Sequence, residues 1–202
     1  MVRYADDAVL GFPYREDAER FLEQLRERVR QLGWELHPDK TRRIEFGRYA
    51  AERRNKRGEG KPETFNFLGF THICGRSREP GYFTVYRKTM GQRRAAKLTD
   101  IRRKLRQRLH APLAETGKWL SSVVRGYFQY HAVADNEPRL KAFRGDVQRL
   151  WLRQLQRRSQ RSGWTWNSFL KRLGNTLPTV EILHPWPNLR FAAKIPGGNR
   201  VR

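Results

Sequence analysis

Two adjacent carboxylates, Asp6 and Asp7, follow Tyr4 and Ala5 near the start of this sequence. Short apolar segments lie on both sides of them, and this pattern predicts a tight β-hairpin with the acids at its tip. Carboxylate oxygens suit Mg²⁺, which is usually held by one or two carboxylates together with substrate phosphates. Phosphoryl transfer by two metal ions, which stabilise the attacking and the leaving oxygen, needs at least one further acidic ligand. Taken alone, the acid pair is also typical of a solvated turn.

Sulfur and imidazole ligands offer a weaker case for metal binding. Cys74 is the single cysteine, which excludes an internal disulfide and a cysteine-rich zinc site built by this chain. His72 would share a strand face with Cys74. A lone cysteine is usually a small buried hydrophobe, so we expect packing rather than coordination there.

The first 88 residues have the spacing of an α+β segment, with apolar residues alternating in some runs and recurring at helical intervals in one. A helical pattern starts at the acidic pair Glu16 and Asp17 and stops at Gly33. The predicted elements are a hairpin around residues 4–7, a helix at 16–32, strands at 34–36 and 44–46 around a turn at 37–41, a mobile polar loop at 48–62, and paired strands at 65–70 and 82–86 joined by a link with Pro80 and Gly81.

After Lys88 the apolar spacing becomes helical and stays so, which predicts a three-helix bundle with a short fourth helix near residues 168–173. Basic residues cover the remaining faces of the first and third helices. The last segment is rich in proline and is expected to be an extended tail. We therefore divide the chain into residues 1–88, 89–175 and 176–202.

The charge is strongly unbalanced, with 43 Lys and Arg against 20 Asp and Glu, a formal net charge of +23 and a sequence pI near 11.2. Such a balance predicts an anionic partner, and nucleic acid fits best. No stretch approaches the roughly 18 apolar residues of a membrane span. Charges at Arg3, Asp6 and Asp7 replace the apolar run of a signal peptide. We expect a cytoplasmic protein without a membrane partner.

Four motifs occur in a characteristic order. They are Tyr4–Asp7 (YADD), Leu32–Thr41 (LGWELHPDKT), Phe67–Phe70 (FLGF) and Arg125–Tyr130 (RGYFQY). The first three together resemble the reverse transcriptases of bacterial group II introns. The fourth resembles the maturase-specific domain of that family, called domain X or thumb. The resemblance implies an α+β fold, in which part of a polymerase palm, made of β-hairpins and one helix, precedes a helical-bundle thumb.

The resemblance also implies roles for individual residues. Asp6 would be a catalytic Mg²⁺ ligand with Asp7 as its partner. Residues near the primer or substrate strand would be Tyr4, Lys40, Phe67, Leu68 and Gly69. Without the resemblance, Lys40 is typical of a solvated turn and residues 67–70 of ordinary core packing.

Intron RNA is the partner that the resemblance implies for the bundle, with a DNA target or primer as a further one. Tyr127 and Phe128 are expected in the core, and the arginines beside them are better RNA candidates. Trp164 and Trp166 could stack on a base beside Arg161, although packing at the bundle's end is favoured. The RNA-binding candidates are Arg102, Arg103, Arg106, Arg125, Arg149, Arg153, Arg157 and Arg158.

The sequence also departs from the family pattern. Tyr4 lies three residues after Met1, so the family's fingers and its first palm motif, with the aspartate that completes the metal site, do not appear. We expect an incomplete Mg²⁺ site and no DNA polymerisation by this chain alone. No histidine-and-cysteine nuclease module follows the thumb motif.

Three functions remain open. The first is a piece of an RNA-directed DNA polymerase and maturase that binds intron RNA and assists splicing. The second is an active reverse transcriptase whose start was misassigned, which the genomic sequence before Met1 would reveal. The third is a basic architectural protein with an accidental YADD, which would bind duplex DNA as well as structured RNA.

Overall fold

A computed structural model describes residues 1–76, 83–158 and 163–185. These residues form two antiparallel sheets and six helices, which confirms the predicted α+β class. Pro80, Gly81, Tyr82, Arg161 and the tail after residue 185 lie outside the described residues. The elements are β1 (Val2–Tyr4), β2 (Asp7–Val9), α1 (Arg15–Gln31), α2 (Ala50–Lys56), β3 (Phe65–Phe67), β4 (Phe70–Arg76), β5 (Phe83–Thr89), α3 (Gly91–Gln107), α4 (Leu113–His131), α5 (Glu137–Gln156) and α6 (Trp166–Leu173).

The first hairpin and helix form as predicted. Tyr4 pairs with Asp7 across β1 and β2, so Ala5 and Asp6 are the two loop residues, and Ala5 has a φ of 50°. Two-residue hairpin loops favour this left-handed backbone because it matches the twist of the strands. After α1 the chain turns at Gly33, whose φ of 76° suits glycine.

The strands predicted at residues 34–36 and 44–46 are wrong, because neither segment pairs with another strand in the described ranges. The turn between them does form, and the Thr41 N–H donates to the His37 carbonyl at 2.9 Å. Side chains hold the second segment: the Glu45 N–H donates to the Glu63 carboxylate at 3.3 Å and the Gly47 N–H to Cys74 Sγ at 3.3 Å. Alternating apolar residues indicate a face, but a strand also needs a hydrogen-bonded neighbour.

The mobile polar loop predicted at residues 48–62 is also wrong, because part of it forms α2, with Ala50 buried. The segment contains good helix formers, including two alanines. Ion pairs anchor the chain around it, since Arg54 contacts Glu59 at 3.2 Å and Glu63 at 3.7 Å. Polar side chains therefore stabilise this segment through contacts with each other.

The segment at residues 65–70 was predicted to be one strand, but it reverses direction at Leu68 and Gly69. Their φ angles are 48° and 78°, and Phe67 pairs with Phe70. Both turn residues have the positive φ that a type I′ hairpin turn requires. The predicted pairing with the following strand is confirmed for the described residues, with Ile73 opposite Tyr86 in β4 and β5.

The helical bundle contains the main core. The three long helices and the short fourth helix form as predicted, and Trp151, Phe143, Leu120 and Phe169 have no exposed side-chain surface. The Trp151 and Phe169 rings meet edge to face, with centroids 5.5 Å apart. Among the described helices, none is both long and apolar enough to cross a membrane.

One buried asparagine joins the sheet to the bundle. Asn136 Oδ1 accepts from the Thr89 N–H at 2.9 Å, and its Nδ2 donates to Thr89 Oγ1 at 2.7 Å and to the His131 carbonyl at 2.8 Å. The Tyr130 hydroxyl donates to the Leu68 carbonyl at 2.8 Å. These bonds fix the position of the β3–β4–β5 sheet on α4 and α5. The division at residue 88 stays a prediction.

We expect the stability of the fold to fall as the pH drops from about 6.5 towards 4. Burial and the positive charge of Arg93 lower the pKa of the His131 imidazole to about 4, and burial and Arg87 lower the pKa of His72 as well. Histidines in the unfolded chain have a pKa near 6.5. As the pH falls below that value, the unfolded chain binds more protons than the folded chain and is favoured. The stability that these two histidines contribute is fully present above about pH 6.5 and is lost as the pH falls from there towards 4.

Urea unfolding midpoints measured across that pH range test this expectation. His131→Phe keeps a planar ring in the same place but cannot be protonated, so its midpoints should change less with pH than those of the native chain. Equal pH dependence in both proteins would contradict the role given to His131.

Candidate nucleic-acid interface

The acidic turn is open to solvent. Asp6 and Asp7 are both exposed, Tyr4 is 64% exposed, and Arg3 Nε donates to the Ala5 carbonyl at 2.9 Å across the loop. Two carboxylates fit the hard-oxygen preference of Mg²⁺ and leave most of its ligands to substrate or water. In the described part of the chain, no group of three His, Cys, Asp or Glu residues could hold a metal ion. A magnesium site at this turn stays a prediction.

The predicted primer-binding residues lie in three places. Tyr4 is on the first hairpin, and Lys40 is exposed in the turn that follows Pro38. The turn at residues 67–69 packs on α4, where its central carbonyl accepts the Tyr130 hydroxyl and where a Cβ added to Gly69 would lie 3.6 Å from the Tyr130 ring. Within the described residues, hydrogen bonds connect this turn to α4 but not to Tyr4 or Lys40.

Four of the eight predicted RNA-binding arginines line one cleft between α3 and α5. Its volume is about 380 Å³. We call it the arginine cleft, and its lining residues are Arg102, Leu105, Arg106, Leu109, Leu150, Arg153, Gln154 and Arg157. No carboxylate is among these lining residues.

The cleft arginines are open to solvent. Arg102, Arg106, Arg153 and Arg157 are all exposed. Within the part of the chain that the structure describes, none of these four guanidinium groups is held by an ion pair or a side-chain hydrogen bond. Their charges therefore add to one positive field, and no carboxylate among the lining residues neutralises it.

The other predicted arginines differ from these four. Arg103 is paired with Asp100 at 2.8 Å and Arg149 with Asp146 at 3.0 Å, while Arg158 donates to the Ala111 carbonyl. Arg125 is exposed on α4, outside the cleft lining. The acids that hold Arg103 and Arg149 lie three positions before them in the sequence. The contact of Arg158 with Ala111, 47 positions away, depends instead on how the helices pack.

Gln154 is a cleft residue that the sequence analysis missed. It is 5% exposed, and its Nε2 donates to the Leu105 carbonyl at 2.8 Å and the Arg108 carbonyl at 3.0 Å, which satisfies carbonyls at the end of α3. Its Oε1 has no hydrogen-bond partner among the described residues. Gln154 lies four residues after Leu150, and this spacing places both side chains on the same face of a helix. That spacing is the feature of the sequence from which its place in the cleft could have been predicted.

The two tryptophans near the bundle's end contact other side chains of the protein, although Trp166 remains 38% exposed. The Trp166 ring stacks on Phe169 with centroids 5.8 Å apart, Trp164 packs against the core, and the Arg172 guanidinium lies 5.5 Å from the Trp164 ring. These contacts give both rings a structural role.

Comparison with known families agrees with the motif order. Residues 1–72 match the family described as reverse transcriptase (RNA-dependent DNA polymerase). The matched segment is similar to reverse transcriptases. It contains the YADD hairpin, the Leu32–Thr41 motif and the turn at residues 67–70, and it ends within β4.

This match covers the first part of the chain. The matched part is 72 of 202 residues, and helices α3 to α6 lie after it. No curated protein and no solved structure matches the chain significantly. The helical part is therefore described by its own geometry and charge.

Proposed function

We propose that this chain is part of a group II intron reverse transcriptase/maturase whose helical region binds intron RNA and assists splicing in the cytoplasm. The observation that supports RNA binding is the arginine cleft, in a chain of net charge +23. Its four guanidinium groups are exposed and have no partner among the described residues. Guanidinium groups bind phosphate oxygens in a bidentate manner, and backbone phosphates supply most of the affinity for nucleic acid. The reverse-transcriptase relationship of residues 1–72 supports an intron RNA, with a DNA target or primer as a further partner.

In this proposal the YADD turn contributes magnesium ligands without completing a polymerase site. Primer extension with the 202-residue chain and Mg²⁺ is therefore expected to give no product. Two-ion chemistry needs a further carboxylate near Asp6 and Asp7, and the described residues place none there. If the native chain extends the primer and the Asp6→Asn variant does not, this expectation is wrong. That result would favour the alternative of an active reverse transcriptase.

Filter binding of a structured group II intron RNA tests the proposed function. We expect the RNA to bind at least about tenfold more tightly than a DNA duplex of equal length. Both affinities are measured at the same salt concentration, because binding through phosphates depends strongly on salt. Asp6→Ala should leave this binding unchanged, because Asp6 is exposed at the hairpin tip and has no part in the arginine cleft.

Two results would overturn the proposal in different ways. Equal affinity for RNA and duplex DNA would favour a basic architectural protein. A large loss of RNA binding in Asp6→Ala would place the hairpin inside the RNA site.

A further inference from the structure

Two helix faces with the same spacing form the arginine cleft. On α3 and the turn after it, the lining residues are Arg102, Leu105, Arg106 and Leu109, and on α5 and its C-cap they are Leu150, Arg153, Gln154 and Arg157. Each set follows the i, i+3, i+4, i+7 spacing that places side chains on one face of a helix. The arginines are exposed, whereas the leucines are partly or fully buried.

The cleft therefore presents apolar side chains at its base and guanidinium groups on both rims. Leu105 is 2% exposed, and Leu150 packs against the bundle core. Arg102 and Arg106 lie on one wall, and Arg153 and Arg157 lie on the other. A ligand that fits has an apolar part that enters the cleft and anionic groups that stay near the rims.

An unpaired nucleotide has this chemistry. Its base is a flat ring with an apolar face, and the phosphates on either side carry the charge. The volume of about 380 Å³ lies within the range of roughly 300–1,000 Å³ that small-ligand sites have. In a double helix the bases are stacked and paired inside, so a duplex can bring phosphates to the rims but no base to the leucines.

Gln154 supplies a polar group at the base of the cleft. Its Nε2 donates to two carbonyls at the end of α3, and these hydrogen bonds fix the side chain. Its Oε1 has no partner in the described ranges. A buried acceptor without a partner is costly. Because Oε1 has almost no accessible surface, a ligand donor would relieve that cost only after the side chains at the base of the cleft shift. The exocyclic amine or ring N–H of a base is such a donor.

We propose that the arginine cleft binds an unpaired nucleotide of single-stranded RNA, with the base against Leu105, Leu109 and Leu150 and the flanking phosphates on the arginines of the two walls. This proposal rests on the proposed function and makes it specific, because it assigns the cleft to single-stranded segments of the RNA rather than to its helices. Contacts with unpaired bases are also how proteins distinguish RNA sequences.

Fluorescence anisotropy with the full 202-residue chain tests the proposal. The probes are a labelled single-stranded RNA of about 12 nucleotides, its blunt duplex, and an abasic strand of the same length. Arg106→Ala/Arg153→Ala removes one guanidinium from each wall. The matched control is Arg26→Ala/Arg139→Ala, which removes the same charge from exposed positions on α1 and near the start of α5, the latter roughly 20 Å along the helix from Arg153 at 1.5 Å per residue.

We expect the native chain to bind the single strand at least about fivefold more tightly than the duplex or the abasic strand. The cleft variant should lose about tenfold in affinity for the single strand and reduce the slope of log K against log salt by about 1.4, or about 0.7 for each lost phosphate contact. The control variant should lose less than about threefold. Far-UV circular dichroism checks that both variants keep the native helical content.

Each contrary result overturns the proposal. Equal losses in the cleft and control variants would show that only total charge matters. Equal binding of the abasic strand would show that no base enters the cleft. Displacement of the RNA by an acidic, leucine-containing peptide at equal concentration would assign the cleft to a protein partner.

The proposed function fails separately from this inference. If the native chain binds no intron RNA at low salt, both are wrong. If it binds intron RNA and the cleft variant binds equally well, the function stands and the arginine cleft is not the site.

Discussion

Raising the salt concentration from 50 to 200 mM is expected to weaken RNA binding by about 50-fold if only the four cleft arginines contact phosphates, and by about 10³ if six to eight contacts form. Each neutralised phosphate releases condensed counterions, so log K falls with log salt by about 0.7 for each contact on a single strand. The four cleft arginines are exposed and unpaired within the described residues, so no internal ion pair must break first. Filter binding at four or five salt concentrations gives the slope.

Unfolding at high salt cannot mimic this loss, because salt screens the self-repulsion of a chain with net charge +23. Thermal melting at each salt concentration is the control and should show equal or higher stability at 200 mM. A loss of affinity below about threefold over the range would contradict binding through phosphates.

Replacing Trp151 by alanine is expected to lower the free energy of unfolding by about 3–5 kcal/mol. Trp151 has no exposed surface, meets Phe169 edge to face, and lies so close to α4 that a Cβ added to Gly117 would be 3.2 Å from its ring. The substitution leaves a cavity that tightly packed helices can fill only in part. Because domains are stable by only about 5–15 kcal/mol, much of the bundle's stability would be lost.

Urea unfolding followed by circular dichroism measures this change. Trp34→Ala is the matched control, because Trp34 is 72% exposed and its removal should cost less than about 1 kcal/mol. Comparable losses in the two variants would mean that Trp151 is not central to the core.

Loss of the bundle in Trp151→Ala should also abolish binding at the arginine cleft, since its walls are α3 and α5. Leu105 is buried in the same core cluster as Trp151, and Leu150 packs against that cluster. Recovery of binding when the variant is cooled below its melting transition would show that the cleft needs the fold and not the indole itself.

The elements that could be predicted from sequence are those whose stabilising contacts repeat locally. Helix α1 follows from apolar spacing between an acidic start and Gly33, and α3, α4 and α5 follow from stripes that continue for four or five turns. The Tyr4–Asp7 turn follows from its short apolar arms. In each case, residues a few positions apart carry the information.

The elements that were missed depend on partners elsewhere in the chain. Residues 44–46 alternate like a strand, but Glu63 and Cys74 satisfy backbone N–H groups there, and no strand pairs with them in the described ranges. The reversal at Leu68 requires a positive φ in a leucine, which local propensity disfavours. The Tyr130 hydroxyl, which bonds to the Leu68 carbonyl, stabilises that turn from 62 positions away.

The sequence by itself determined that this chain is basic, that it carries a YADD turn, and that arginines cover the exposed faces of two helices. Only the tertiary structure decided which arginines act together. Packing of α3 against α5 brings Arg102 and Arg106 to the same cleft as Arg153 and Arg157, while Asp100, Asp146 and the Ala111 carbonyl occupy neighbouring guanidinium groups. A charge is available to a ligand only when no internal partner holds it. Asp100 and Asp146 lie three positions before the arginines that they hold, whereas the contact with Ala111 and the meeting of the two cleft walls depend on the packing of segments far apart in the chain.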